Sequence, residues 1–227
     1  MCHTECLNYE NKYKNQNRLN YKIFMDIKED IQTKKSIYID INKETKSILS
    51  LIGFKDIYTI SHQKRVSKIS YAIGKKINLK NKTLKILQQA ALLHDLGKID
   101  IPTDILYKPG RLTQEEFKLV KKHPQMSFNI LEMLEVDNTV AKIVLQHHER
   151  LDGSGYPHGL KSKEIRPAAK ILAVADVVEA MLSHRPYKLP LEVKKVVSEL
   201  KTNRGKLYDK NVVDTCIELL KSGFVLD

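Results

Sequence analysis

No stretch of this chain stays apolar for the roughly 20 residues that a membrane-spanning helix needs, so an integral membrane helix is not expected. The first residues, Met1 to Lys14, are polar and lack the apolar core of a secretory signal, which leads us to expect a soluble, cytoplasmic protein. Cysteine is scarce: Cys2, Cys6 and Cys216 are an odd number without a CxxC pair, which argues against a disulfide framework and fits a reducing compartment. Cys2, His3 and Cys6 are soft ligands near one another, but with no fourth nearby they fall short of a structural zinc site. Internal repeats, low-complexity tracts and long β-alternating runs are also missing, so neither a solenoid nor a sheet protein is indicated.

Acidic residues are absent from positions 57–94, where eight lysine and arginine side chains stand unopposed. Over the whole chain lysine and arginine number 39 against 27 aspartate and glutamate, a net charge of +12. Such a field attracts anions, and a phosphate-bearing substrate, nucleic acid or an anionic membrane surface would answer it alike. A solvated helix face explains Lys75, Lys76, Lys80, Lys82 and Lys85 more simply, and a specific nucleic-acid partner is not expected.

What is present is a chain of 227 residues, 42% of them hydrophobic, enough for one domain with a substantial core. Residues 1–45 read as an N-terminal extension, regulatory or dimerising, with a β-prone patch at Ser36 to Ile41. From there apolar residues recur at helical spacing, and the expected fold class is all-α, a helical bundle over residues 46–227. Ile48, Leu49, Leu51 and Ile52 suggest a first helix ended near Gly53. His62, Val66, Ile69, Ala72 and Ile73 mark a second, with Gly74 close to its middle. Leu84, Leu87, Ala91, Leu92 and His94 mark a third, closing at Gly97. Thr113, followed by Glu115 and Glu116, reads as the capped start of a fourth, and Pro124 must bend that helix or begin the next. Thr139 to His148, Ala168 to Leu182, Leu191 to Leu200 and Val212 to Leu220 complete the set. A loop of turn-forming residues, Asp152-Gly153-Ser154-Gly155-Tyr156-Pro157, separates two of them.

Five of the eight histidines, His62, His94, His123, His147 and His148, lie in or at the ends of these helices among apolar residues, where an unpaired imidazole is costly. Asp95 adjoins His94, and Asp176 is embedded in the apolar run Ile171 to Val178, where a carboxylate needs a strong partner; a divalent cation is a good one. Imidazole and carboxylate without thiolate suit iron, manganese, cobalt or zinc better than magnesium or calcium. Seven candidate ligands exceed the needs of one ion, and two ions sharing the oxygens of one aspartate would use them all.

The order His62, His94-Asp95, Asp176 resembles the HD superfamily of metal-dependent phosphohydrolases. The segment His94-Asp95-Leu96-Gly97-Lys98-Ile99 continues through Pro102, Leu106, Lys108-Pro109-Gly110, Leu112-Thr113 and Glu116 to His123-Pro124. The run His147-His148-Glu149-Arg150-Leu151-Asp152-Gly153-Ser154-Gly155-Tyr156-Pro157 is similar to the motif that names the HD-GYP family. Ala175-Asp176-Val177 and Ser183 to Lys188 follow in the family's order, so that the likeness covers roughly residues 47 to 220.

This resemblance implies an HD-domain helical bundle that hydrolyses cyclic di-GMP to pGpG and GMP by a hydroxide held between two ions, in second-messenger signalling. It implies His62, His94 and Asp176 as ligands of one metal, His123, His147 and His148 as ligands of the other, and Asp95 as the bridge. It assigns substrate phosphate to Lys98, Arg185 and Lys188, with Asp95 and Lys98 as catalytic residues, and places Gly155, Tyr156 and Pro157 beside the substrate. Iron and manganese are the first expectation for the two divalent ions, with zinc, cobalt and nickel as alternatives. Some relatives bind a third metal through an acidic residue four positions before the first histidine; Tyr58 stands there, so two metals are expected. A phosphodiesterase for another cyclic dinucleotide such as cyclic GMP-AMP, and a cyclic di-GMP-binding signalling module with little turnover, remain open. So do a homodimer and protein partners.

Overall fold

The structure is a computed structural model that describes residues 45, 47–50, 57–183 and 190–224. Residues 1–44 of the extension, with the β-prone patch, Cys2, His3 and Cys6, and the expected helix end at Leu51 to Gly53 lie outside the described residues, as do Arg185 and Lys188. The side chain of Tyr58 is likewise not described.

Among the described residues there is no strand, and the architecture is an all-α bundle. After helical residues 45 and 47–50 come α1 (Ile57–Lys76), α2 (Asn81–Leu93), a 3-10 turn (Leu96–Asp100), α3 (Thr103–Leu106) and α4 (Gln114–Val120). Then follow α5 (His123–Met133), α6 (Asn138–Leu145), α7 (Pro167–Leu182), α8 (Val193–Asn203) and α9 (Lys210–Lys221). No helix among them is long and apolar enough to cross a membrane.

The bundle is organised about α7. Proline at its start has its fixed φ where a helix begins, and the run Ala168 to Ala175 is buried nearly all round, as a helix enclosed on every side must be. It packs against α1, α2, α6, α8 and α9. Val66, Ile69 and Ile73 of α1, Leu87 and Leu92 of α2, and Val140 and Val144 of α6 fill the space around it. On the opposite side of α1 and α2 the five lysines expected at the surface are exposed.

Helix starts follow local chemistry. Thr113 and Glu116 form a reciprocal capping box at α4; the carboxylates of Asp137 and Asp209 accept from the first free N–H groups of α6 and α9. Pro124 begins a helix and does not bend one, because α5 starts at His123 and the proline falls where no intrahelical N–H bond is required. Three expected boundaries move. Gly74 lies two residues from the end of α1, where its missing Cβ lets Leu84 and Leu79 approach. The third helix ends at Leu93, and the chain tightens into the 3-10 turn before reaching Gly97. The helix expected to reach His148 stops at Leu145, leaving both histidines in the following turn.

Gly97 sets the distance between two parts of the bundle. A Cβ there would stand 2.3 Å from the His123 carbonyl oxygen and 2.6 Å from the Ser127 nitrogen, both backbone atoms that cannot step aside. The contact is fastened by Ser127, whose hydroxyl accepts from Gly97 N at 2.7 Å and donates to the His94 carbonyl at 3.0 Å. Replacing Gly97 by alanine is expected to cost about 1–3 kcal/mol, the usual penalty for forcing extra volume into a packed site. Urea unfolding measures it, and an unchanged midpoint would show that α5 has room to shift.

Candidate metal centre

Six segments deliver the seven expected donors to one place. His62 comes from the second turn of α1, His94 caps α2, and Asp95 opens the 3-10 turn. His123 is the first residue of α5, His147 and His148 occupy the turn after α6, and Asp176 comes from α7. Helix ends dominate because side chains there can converge without a neighbouring turn in the way.

The donors fall into sets. Ligand atoms of His62, His94 and Asp176 lie within 4.8 Å of one another, as do those of His123, His147 and His148, and those of His94, Asp95 and His147. Asp95 sits between the first two sets. Its Oδ2 is 3.5 Å from His62 Nε2 and 3.4 Å from His94 Nε2, and its Oδ1 is 3.4 Å from His123 Nε2. Asp176 Oδ1 lies 3.3 Å from His62 Nε2 and 3.8 Å from His94 Nε2.

The hydrogen-bond pattern tests whether a cation fits. His94, His123 and His147 each donate Nδ1–H to the backbone carbonyl three residues earlier, of Ala91, Val120 and Val144, at 2.8, 2.7 and 2.6 Å. A carbonyl only accepts, so the Nδ1 of each ring carries a proton, and in the neutral rings of His123 and His147 the lone pair is on Nε2. His123 Nε2 and His147 Nε2 then face each other at 3.2 Å, lone pair to lone pair. Asp95 Oδ1 is buried beside them and makes no hydrogen bond. A cation between these atoms resolves both anomalies, and the residues present therefore fit divalent metal ions.

Electrostatics agree. Burial holds the imidazoles of His147 and His148 well below the ordinary histidine range and brings His123 down to about 4, leaving all three neutral and able to donate a lone pair. His62 differs: burial pulls it down, but hydrogen bonds to Asp176 and Glu179 overcome this and raise it to about 9. Without a cation, a proton on His62 supplies the positive charge that the cluster lacks. Burial works to raise both aspartates, yet they stay well below the usual carboxylate range, Asp95 through His94 and Lys98 and Asp176 through His62 and His94.

Lys98, expected at the substrate, is partly exposed, and its Nζ lies 2.6 Å from Asp95 Oδ2. The turn-forming loop closes over the His123 side, with the Tyr156 ring stacked on His148 at 4.6 Å between centroids. The ammonium of Lys121 stands over both Tyr156 and Phe117 at 5.5 and 4.8 Å, beside the loop. Gly153 takes a positive φ of 84°, as glycine in such a loop should. Gly155 is needed for a different reason from the backbone freedom expected of it. A Cβ there would meet Glu149 Cα and Arg150 N at 2.4 Å, so the residue must be small and not left-handed.

Two glutamates escaped the sequence reading. Glu149 is buried and accepts from His158 N at 2.8 Å and Leu160 N at 2.9 Å, pinning the loop to the turn that carries His147 and His148. Glu179 is buried behind His62, where it accepts from His62 Nδ1, from Arg65 Nε at 2.7 Å and from the Ser183 hydroxyl at 2.5 Å. Its place three residues after Asp176 on one helix was the available signal.

The family model described as HD domain matches residues 48–212. A cyclic di-GMP phosphodiesterase of Thermotoga maritima is 42% identical over 81% of this chain and 51% of its own length. The cyclic di-GMP phosphodiesterase response regulator RpfG of Xanthomonas campestris is 39% identical over 77% of this chain and 47% of its own. A 3'3'-cGAMP-specific phosphodiesterase of Vibrio cholerae is 32% identical over 74% of this chain and 39% of its own. The chain thus spans about half or less of the length of these relatives. Among solved structures, the HDG"Y"P protein Bd1817 of Bdellovibrio bacteriovorus superposes with a TM-score of 0.62 at 21% identity, covering 78% of this chain and 62% of that one, which speaks for the fold. With a family match over most of the described bundle and relatives of the HD-GYP type, the chain belongs to the HD domain family, in its HD-GYP branch.

Proposed function

We propose that this chain is a metal-dependent phosphodiesterase that hydrolyses cyclic di-GMP to pGpG and then GMP. The observation that carries the reading is the buried Asp95 carboxylate, with one oxygen toward each histidine set and Oδ1 unpartnered. Similarity to cyclic di-GMP phosphodiesterases supports the substrate class. His62, His94 and Asp176 would hold one cation and His123, His147 and His148 a second, with Asp95 shared. Two such cations supply Lewis acidity toward a phosphodiester oxygen and lower the pKa of water toward neutrality. Iron and manganese are the proposed metals, with zinc, cobalt and nickel compatible with the donor set.

The chain's own groups do the rest. The Nδ1 hydrogen bonds keep each imidazole in the tautomer that presents Nε2 to the cavity. Lys98 stands where its ammonium can neutralise charge on the phosphoryl oxygens, and Arg185 and Lys188 are proposed to share that task. Tyr156 with Gly155 and Pro157 would border the nucleotide on the side of His148. Two 3'3'-cGAMP-specific relatives, at 32 and 33% identity, favour cyclic GMP-AMP as the second reading.

Protein stripped of metal and reloaded without oxygen with iron or manganese should release pGpG from cyclic di-GMP, followed by chromatography. Tight binding without linear product would replace the enzyme by a sensor, and faster turnover of cyclic GMP-AMP would replace the substrate. Asp95→Ala is expected to abolish both bound metal and hydrolysis; full turnover in that variant refutes the shared role of Asp95. Lys98→Ala should lower kcat about 10²-fold or more, the usual loss when one charge-stabilising group is removed. Chelation should lower the melting temperature, since a cation at a hundred times its Kd contributes about 2.7 kcal/mol of stability. An unchanged melt after verified metal removal would count against the site.

A further inference from the structure

The Nδ1 contacts of His62, His94, His123 and His147 are not alike. His94, His123 and His147 rest their Nδ1–H on neutral backbone carbonyls of their own helix or turn. His62 alone gives its Nδ1–H to a carboxylate from another helix, that of Glu179. Asp176 and Glu179 are three residues apart on α7, so they project from one face. Asp176 reaches the Nε2 end of the His62 ring and Glu179 the Nδ1 end. One helix therefore grips a single imidazole by both nitrogens.

Glu179 is not itself among the donors. Oε2 is used by His62, while Oε1 takes Arg65 Nε and the Ser183 hydroxyl, so that both oxygens are engaged away from the cavity. The carboxylate is 1% exposed, and solvent screens it little. A hydrogen bond to a carboxylate raises the basicity of the ring's other nitrogen and fixes its orientation, more than a neutral carbonyl does. The His62, His94 and Asp176 set thus has a carboxylate donor of its own and a second carboxylate behind it. The His123, His147 and His148 set consists of three neutral imidazoles.

We infer that the two halves of the centre take up divalent cations unequally, the His62 half first, and that Glu179 is the positioning residue that sets this order. The inference rests on reading the cluster as a two-cation centre, and it does not depend on which nucleotide is cleaved. Its consequence is a protein that at limiting metal holds one ion in the His62 half and gains or loses the second, in the three-imidazole half, as metal supply changes.

The test is a titration of the chelator-stripped, oxygen-free 227-residue chain with Co2+, followed by calorimetry and visible absorption, with no nucleotide present. Wild type should bind in two phases, and His148→Ala should weaken the second alone. Glu179→Gln, which keeps the shape and removes the charge, should weaken the first phase about ten- to a hundredfold, the range seen when such outer partners are changed, and leave the second unchanged. Two equal sites in wild type, an unaltered first phase in Glu179→Gln, or an equal loss of both phases overturns the inference. Should the Glu179→Gln chain not fold by circular dichroism, Arg65→Gln replaces it, removing the carboxylate's support: weakening of the first phase alone sustains the inference, and no change or equal weakening of both overturns it. Absence of cyclic di-GMP hydrolysis would defeat the proposed activity while leaving these isotherms intact, so the two failures are told apart.

Discussion

Buried negative and lone-pair density around Asp95 is the constraint on which this structure depends. Two carboxylates and the Nε2 atoms of several neutral imidazoles are held within a few ångströms of one another, with little access to water. In a low-dielectric interior such a gathering repels itself unless positive charge enters. The metal-free protein answers with the raised His62 and with Lys98 on Asp95. Divalent ions answer more completely, and in doing so would join six segments that otherwise meet through apolar packing and a few hydrogen bonds.

The scaffold keeps that gathering rigid by backbone contact as much as by side-chain packing. Gly97 lets the 3-10 turn touch the first turn of α5, fixing Asp95 relative to His123. Gly155 lets the loop lie against the backbone of Glu149 and Arg150, fixing Tyr156 over His148. Between them α7, apolar on nearly every side, carries Asp176 and Glu179 into the middle of the bundle. A helix with so little polar surface tolerates two carboxylates only because each has cationic or hydrogen-bonding partners on arrival.

Much of this was legible in the sequence. Histidines at helix ends and a lone aspartate in an apolar run are locally unfavourable, and the local conflict is what marks a site. The helical spacing gave the bundle, and Thr113 with Glu116 gave a cap that the structure reproduces. Boundaries were less legible: nothing in Thr139 to His148 shows that the helix should end at Leu145, since its end is set by the need to turn two adjacent histidines toward one cavity. Glu149 and Glu179 stayed hidden because a glutamate in a loop or on a helix is ordinarily a solvated residue, and only tertiary packing shows what lies opposite them. Gly155 looked like a turn former, whereas a neighbouring backbone, contributed by the same loop, is what forbids it a side chain.

The order of the donors along the chain bears on how such a protein is made. During synthesis from the N-terminus, His123, His147 and His148 emerge within a short interval, while the His62 and His94 half waits for α7 to bring Asp176 and Glu179. The half with the stronger hold is thus the later to be completed. A nascent chain that captured metal early would do so with its weaker imidazoles, and the ion could still be surrendered or exchanged before α7 docks.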